Sequence, residues 1–138
     1  MKLLLLLSFF LLARLPVGAQ TKPVKIVFDV TSKDTLTQQT AIRHVSLMAE
    51  SYPQSYFEVV IYGGAMNMVV SGKSTVSKAI QKLSGNTKVS FKVCEYTMKR
   101  AGVDKSQLLP GVSTVPDGII EIVTRQGEGW GYIKEAHN

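Results

Sequence analysis

The 138-residue chain contains one cysteine, one tryptophan and two histidines. A single thiol excludes an intramolecular disulfide framework and any cysteine-based zinc site, since both need several. His44 and His137 have no metal-ligand partner at a recognisable spacing, so no metal is expected. The basic residues are scattered, and no block of about five or more occurs with interleaved aromatics, so a nucleic-acid partner is not expected. Gly72-Lys73-Ser74 resembles the end of a phosphate-binding loop, but Asn67 stands where the first glycine belongs. No nucleophile elbow with a Ser/His/Asp order is present, so hydrolase machinery is absent and no cofactor is expected. Few prolines and a 45% hydrophobic share exclude a disordered chain. The length suits one domain.

Long apolar runs are also lacking. Leu3 to Leu12, broken only by Ser8, is about half of the roughly 20 residues that a membrane-spanning helix needs. Lys2 precedes this run, and Val17-Gly18-Ala19 follows Arg14 and Pro16. A basic start, a short apolar centre and small residues before a cut site make a secretory signal. Cleavage after Ala19 is the preferred expectation, with an uncleaved anchor as the alternative. The protein is then exported, periplasmic or secreted, with no stable membrane insertion after cleavage. Residues 1–19 are the signal and residues 20–138 a single domain. Lys2 and Arg14 leave with the signal, so 14 of the 16 basic residues remain against 10 acidic ones, and +6 becomes +4.

The rest alternates between strand and helix patterns. Val24 to Val30, Tyr56 to Tyr62, Val89 to Cys94, Val112 to Val115 and Trp130 to Lys134 read as strands, rich in β-branched or alternating apolar residues. Leu36 to Ser51 carries Ala41, Val45 and Met48 at helical spacing and ends before Pro53. Asp34 is placed to cap it. Further helices are expected over Ser74 to Leu83, Tyr96 to Ala101, Asp104 to Leu109 and Asp117 to Gln126. Ala65 to Val70 is apolar without a clear period. Strands alternating with helices imply crossovers and a mainly parallel sheet covered on both faces. The fold class is α/β, a three-layer α/β/α domain with five strands.

In such sheets ligands collect beyond the carboxyl ends of the strands. The loops there are Thr31-Ser32-Lys33-Asp34, Gly63-Gly64-Ala65, Cys94-Glu95-Tyr96 and Pro116-Asp117-Gly118. Cys94 thus ends a strand and begins a helix, whose positive end favours thiolate. Lys92, Lys99 and Arg100 add to this, and Glu95 opposes it. The competing reading is a buried, inert thiol.

Val89 to Cys94, continuing through Glu95-Tyr96-Thr97-Met98-Lys99-Arg100-Ala101-Gly102-Val103, resembles the DsrE/DsrF-like sulfur-relay family. Leu108-Leu109-Pro110-Gly111, Val115-Pro116-Asp117-Gly118 and Gln126-Gly127-Glu128-Gly129-Trp130 are similar to that family as well. The resemblance implies a parallel five-stranded sheet and assembly into trimers or hexamers. It also implies a cysteine that carries sulfur as a persulfide between partner proteins, and Cys94 matches that position.

Two functions follow as expectations. One is a sulfur carrier, at most sulfurtransferase-like, with Cys94 as persulfide acceptor and a sulfur donor or acceptor protein as partner. Thr31, Ser32, Lys33, Gly63, Gly64, Lys92, Tyr96, Pro116, Asp117 and Gly118 would shape its pocket. The alternative is a non-catalytic oligomeric module that uses the same cleft for a small ligand or a protein. Self-association is expected on other grounds too: a small domain buries little surface alone. The apolar stretch Gly64 to Val70 would be an exposed patch unless it caps the core.

Overall fold

The computed structural model describes residues 22–136. The signal with its cut site, and His137, lie outside the described residues. Five strands form one sheet: β1 (Lys25–Val30), β2 (Tyr56–Ile61), β3 (Val89–Cys94), β4 (Val112–Val115) and β5 (Gly131–Lys134). Their order is β4-β3-β2-β1-β5, and every pairing is parallel. The helices are α1 (Thr35–Ser51), α2 (Ser77–Ser84), α3 (Glu95–Ala101) and α4 (Gly118–Gly127), with 3-10 turns at Gly63–Val69 and Lys105–Gln107.

This order dictates the layers. From β1 to β4 the chain steps in one direction, so right-handed crossovers put α1, α2 and α3 on one face. Returning to the far side of β1 for β5 puts α4 on the other. The first face carries the main core, where Phe28, Phe57, Phe91, Val59, Ile61 and Val45 are fully or almost fully buried. Each such side chain contributes about 1.5–3 kcal/mol of burial. Under α4 the core shrinks to Val27, Val60 and Ile122, flanked by Tyr62 and Trp130.

Local signals place the ends. Asp34 Oδ2 accepts from the Thr37 N–H at 2.8 Å and so caps α1. Gly102, at φ +64°, ends α3 while the Val103 N–H returns to the Met98 carbonyl at 3.0 Å. α2 begins at Ser77 rather than Ser74, because the Ser74 hydroxyl accepts the Val76 N–H at 3.2 Å and holds a non-helical turn.

The expected apolar patch at Gly64 to Val70 does not exist. Ala65, Met66, Met68 and Val69 are buried in the 3-10 turn, which closes the main core beside α3. The Leu109 N–H donates to the Val69 carbonyl at 2.9 Å and pins its far end. Exposed apolar surface lies instead on α4, where Ile119, Ile120 and Val123 are each 58–60% exposed. No helix among the described residues is long and apolar enough to cross a membrane.

Candidate functional site

Cys94 is the last residue of β3 and the cap position of α3. Its side chain makes no capping bond to α3. The thiol instead faces the Pro116 carbonyl oxygen, 4.0 Å away, and the residue is 5% exposed. It borders a hollow of about 260 Å³ whose other walls are Tyr62 and Gly63 after β2, Tyr96, Thr97 and Arg100 on α3, and Asp117 and Ile119 at the start of α4.

The hollow exists because three chain ends meet without bulk. Gly118 packs against both Tyr62 and Cys94: a methyl group placed there would lie 3.2 Å from Tyr62 Cδ1 and 3.3 Å from Cys94 Cβ. Gly63, at φ +59°, turns the chain away from β2, and its N–H donates to the buried Thr97 hydroxyl at 3.1 Å. The sheet end and α3 are thereby fixed to each other.

Charge around the thiol is sparse. Arg100 is the cation on the wall. Asp117 is spent on α4, its Oδ1 accepting the N–H groups of Ile119 and Ile120 at 2.8 and 3.2 Å. Glu95 turns away to Thr114 Oγ1 (2.6 Å) and the Lys105 ammonium (2.8 Å). Lys105 first, then Thr114, holds its carboxyl below the usual carboxylate range, so its charge is matched locally.

Of the residues expected to shape this site, Gly63, Tyr96 and Asp117 line it with Cys94. Pro116 and Gly118 touch the cysteine from behind. Lys92 shares the strand face of Cys94 one pleat back and is not a wall, nor is Lys99. Thr31, Ser32 and Lys33 form a neighbouring loop. Ser32 binds the Asp34 N–H and the Gln38 amide, and the Thr31 carbonyl and Lys33 N–H press on Gly64, leaving no room for a side chain there.

Arg100, expected as a charge near the thiol, is a wall of the hollow, and Tyr62, Thr97 and Ile119 are walls that the sequence reading does not name. Thr97 and Arg100 follow Tyr96 at one-turn spacing on α3, and Tyr62 stands just before the glycine pair.

Behind Tyr62 lies a polar cluster. Buried Asp29 accepts from the Tyr132 hydroxyl (2.7 Å) and Lys134 (3.1 Å), and Lys134 also donates to Thr31 Oγ1 at 2.6 Å. Burial, then Asp29, pushes Tyr62 up to about 12; the hydrogen bond to Asp29 pushes Tyr132 up to about 12. Both phenols are therefore neutral at physiological pH. Among the described residues no cluster suited to a metal ion occurs. Chemically, the hollow offers a thiol nucleophile, one guanidinium and no histidine; thiol exchange needs little more.

Residues 25–134 match the DsrE/DsrF-like family. The chain belongs to that family. Its five-stranded parallel α/β fold recurs in a protein of unknown function, MTH1491 from Methanobacterium thermoautotrophicum, at 32% identity and a TM-score of 0.75, covering 80% of this chain and 98% of that one. The ychN protein from E. coli shares the fold at 13% identity and a TM-score of 0.69, with 83% and 99% covered. BT1422 from Bacteroides thetaiotaomicron, a conserved protein of unknown function, does so at 12% and 0.63, with 80% and 93% covered. No curated protein matches this chain.

Proposed function

We propose that this DsrE/DsrF-like protein is a sulfur carrier in which Cys94 holds sulfane sulfur as a persulfide. The observation that supports it most is the placement of the single cysteine at the end of β3, bordering a hollow beside Arg100. The Cys94 thiolate attacks the sulfane sulfur of a donor, a new S–S bond forms, and the donor's S–S bond breaks with its electron pair leaving on the donor. The guanidinium of Arg100 favours the anionic persulfide that results. A second thiolate then takes the outer sulfur and regenerates the cysteine. The test is cyanolysis: protein exposed to polysulfide and desalted should release about one thiocyanate per chain, and Cys94→Ser none.

A non-catalytic module using the same hollow is the second reading, favoured by the near-complete burial of Cys94. It requires that a ligand's thermal stabilisation survive Cys94→Ala.

Two properties accompany this proposal. The charged and apolar pattern of residues 1–19 supports export with cleavage after Ala19, which amino-terminal sequencing of the mature protein tests. The apolar outer face of α4 supports assembly into a trimer or hexamer, with the shelter that a lone thiol needs outside the cytoplasm.

A further inference from the structure

On the face covered by α1, α2 and α3, α1 and the start of α2 enclose a second hollow of about 560 Å³. That volume lies within the range of small-molecule sites, roughly 300–1,000 Å³. Ile42 and Val76 are buried there, and Leu47, on its wall, is 55% exposed. Arg43 and Lys78 also line it, and no acidic residue does. Among the described residues neither cation takes part in an ion pair. A further hollow of about 460 Å³ lies along α1, lined by exposed Leu36 and Thr40, and shares Gln39 and Arg43 with the first.

An apolar floor with two unmatched cations and no acid selects its occupant by charge. A neutral hydrocarbon would leave the cations unused, and an amine would be repelled. We propose that this α1–α2 hollow binds a small amphipathic organic carboxylate. Its apolar body rests on Ile42, Leu47 and Val76. Its carboxylate takes the paired N–H donors of Arg43, whose planar fork matches that geometry, with Lys78 as the second cation. The α2 end facing the hollow has no side-chain cap and no acid in its first turn, which adds to the positive field. This site is separate from Cys94 and independent of its chemistry.

Decanoate is a suitable probe, titrated into the 20–138 protein while backbone amide shifts are followed by NMR. The expected result is saturable shifts confined to residues 39–47 and 75–79. Affinity should fall by about fivefold or more in Arg43→Gln/Lys78→Gln, be lost in Leu47→Glu, and be unchanged in Cys94→Ser. Both exposed-site variants should melt as the parent does, because neither removes a buried contact. Shifts that are scattered or unsaturated up to about 5 mM overturn the proposal. So does unaltered affinity in the charge variant. A particle mass of the free protein that drops in Leu47→Glu would instead assign the groove to a second copy of the chain, and would also overturn it.

Discussion

The hydroxyl of Thr97 accepts the N–H of Gly63 at 3.1 Å, joining the turn after β2 to α3 across the Cys94 hollow. Thr97 is 6% exposed, so losing this bond leaves a largely buried N–H without its acceptor. Thr97→Val keeps the shape and removes the acceptor. It should lower stability by about 1–2 kcal/mol, and Thr97→Ser should recover most of that. Chemical denaturation of the three proteins checks it.

Arg125 fastens α4 to the sheet through buried Glu58, with Nε 3.0 Å from Oε1, and also reaches Glu121 and Glu128. Arg125→Ala should destabilise the protein by about 2–4 kcal/mol, because Glu58 is then buried without its cation.

The same pair carries a pH dependence. Burial, outweighing the attraction of Arg125, raises the Glu58 carboxyl above its ordinary value of 4.5. The folded state then holds a proton that the unfolded chain has released, so this group's stabilisation is complete below 4.5 and is lost as pH rises through the raised value. The melting temperature of the parent relative to Glu58→Gln should therefore fall as pH rises above 4.5. A difference that stays flat as pH rises above 4.5 contradicts it.

Gly118→Ala tests how the hollow is kept open. The added methyl meets Tyr62 and Cys94 at 3.2 and 3.3 Å, tighter than ordinary packing. At the first position of α4 alanine is tolerated better than glycine, which offsets part of the crowding in stability. Thiol alkylation should nonetheless slow by several-fold, measured as iodoacetamide modification of Cys94 against time.

Assembly through α4 predicts that particle mass in light scattering is a multiple of three chains. Ile120→Glu, which places a charge on the exposed apolar face, should return it to one chain without lowering the monomer's melting temperature by more than a few degrees. A parent protein that is already monomeric refutes this use of the face.

The fold was largely legible because its signals are local. Asp34 before α1, Pro53 after it, Gly102 after α3 and the β-branched strands each act within a few residues. Ala65 to Val70 was not, since an irregular apolar run looks the same whether it covers a core or projects from it. Four apolar residues of α4 looked alike as well, yet only Ile122 is buried. One helix alone on its face has a narrow footprint on the sheet, and the rest of its apolar surface is left outside. For the site, the strand-end rule found the loops around Cys94 but not which of them share its hollow. That depends on β5 lying beside β1, which ties Thr31 to Lys134, and on which side of α3 faces the sheet end, which brings Thr97 and Arg100 to the cysteine.

Whether Cys94 accepts sulfur is decided by intact-mass spectrometry of the protein after brief exposure to polysulfide. A sulfur carrier gains about 32 Da on the native chain, reversed by dithiothreitol and absent in Cys94→Ser. An unmodified mass under conditions where denatured protein is modified would contradict it, and would make Cys94 a packed core residue.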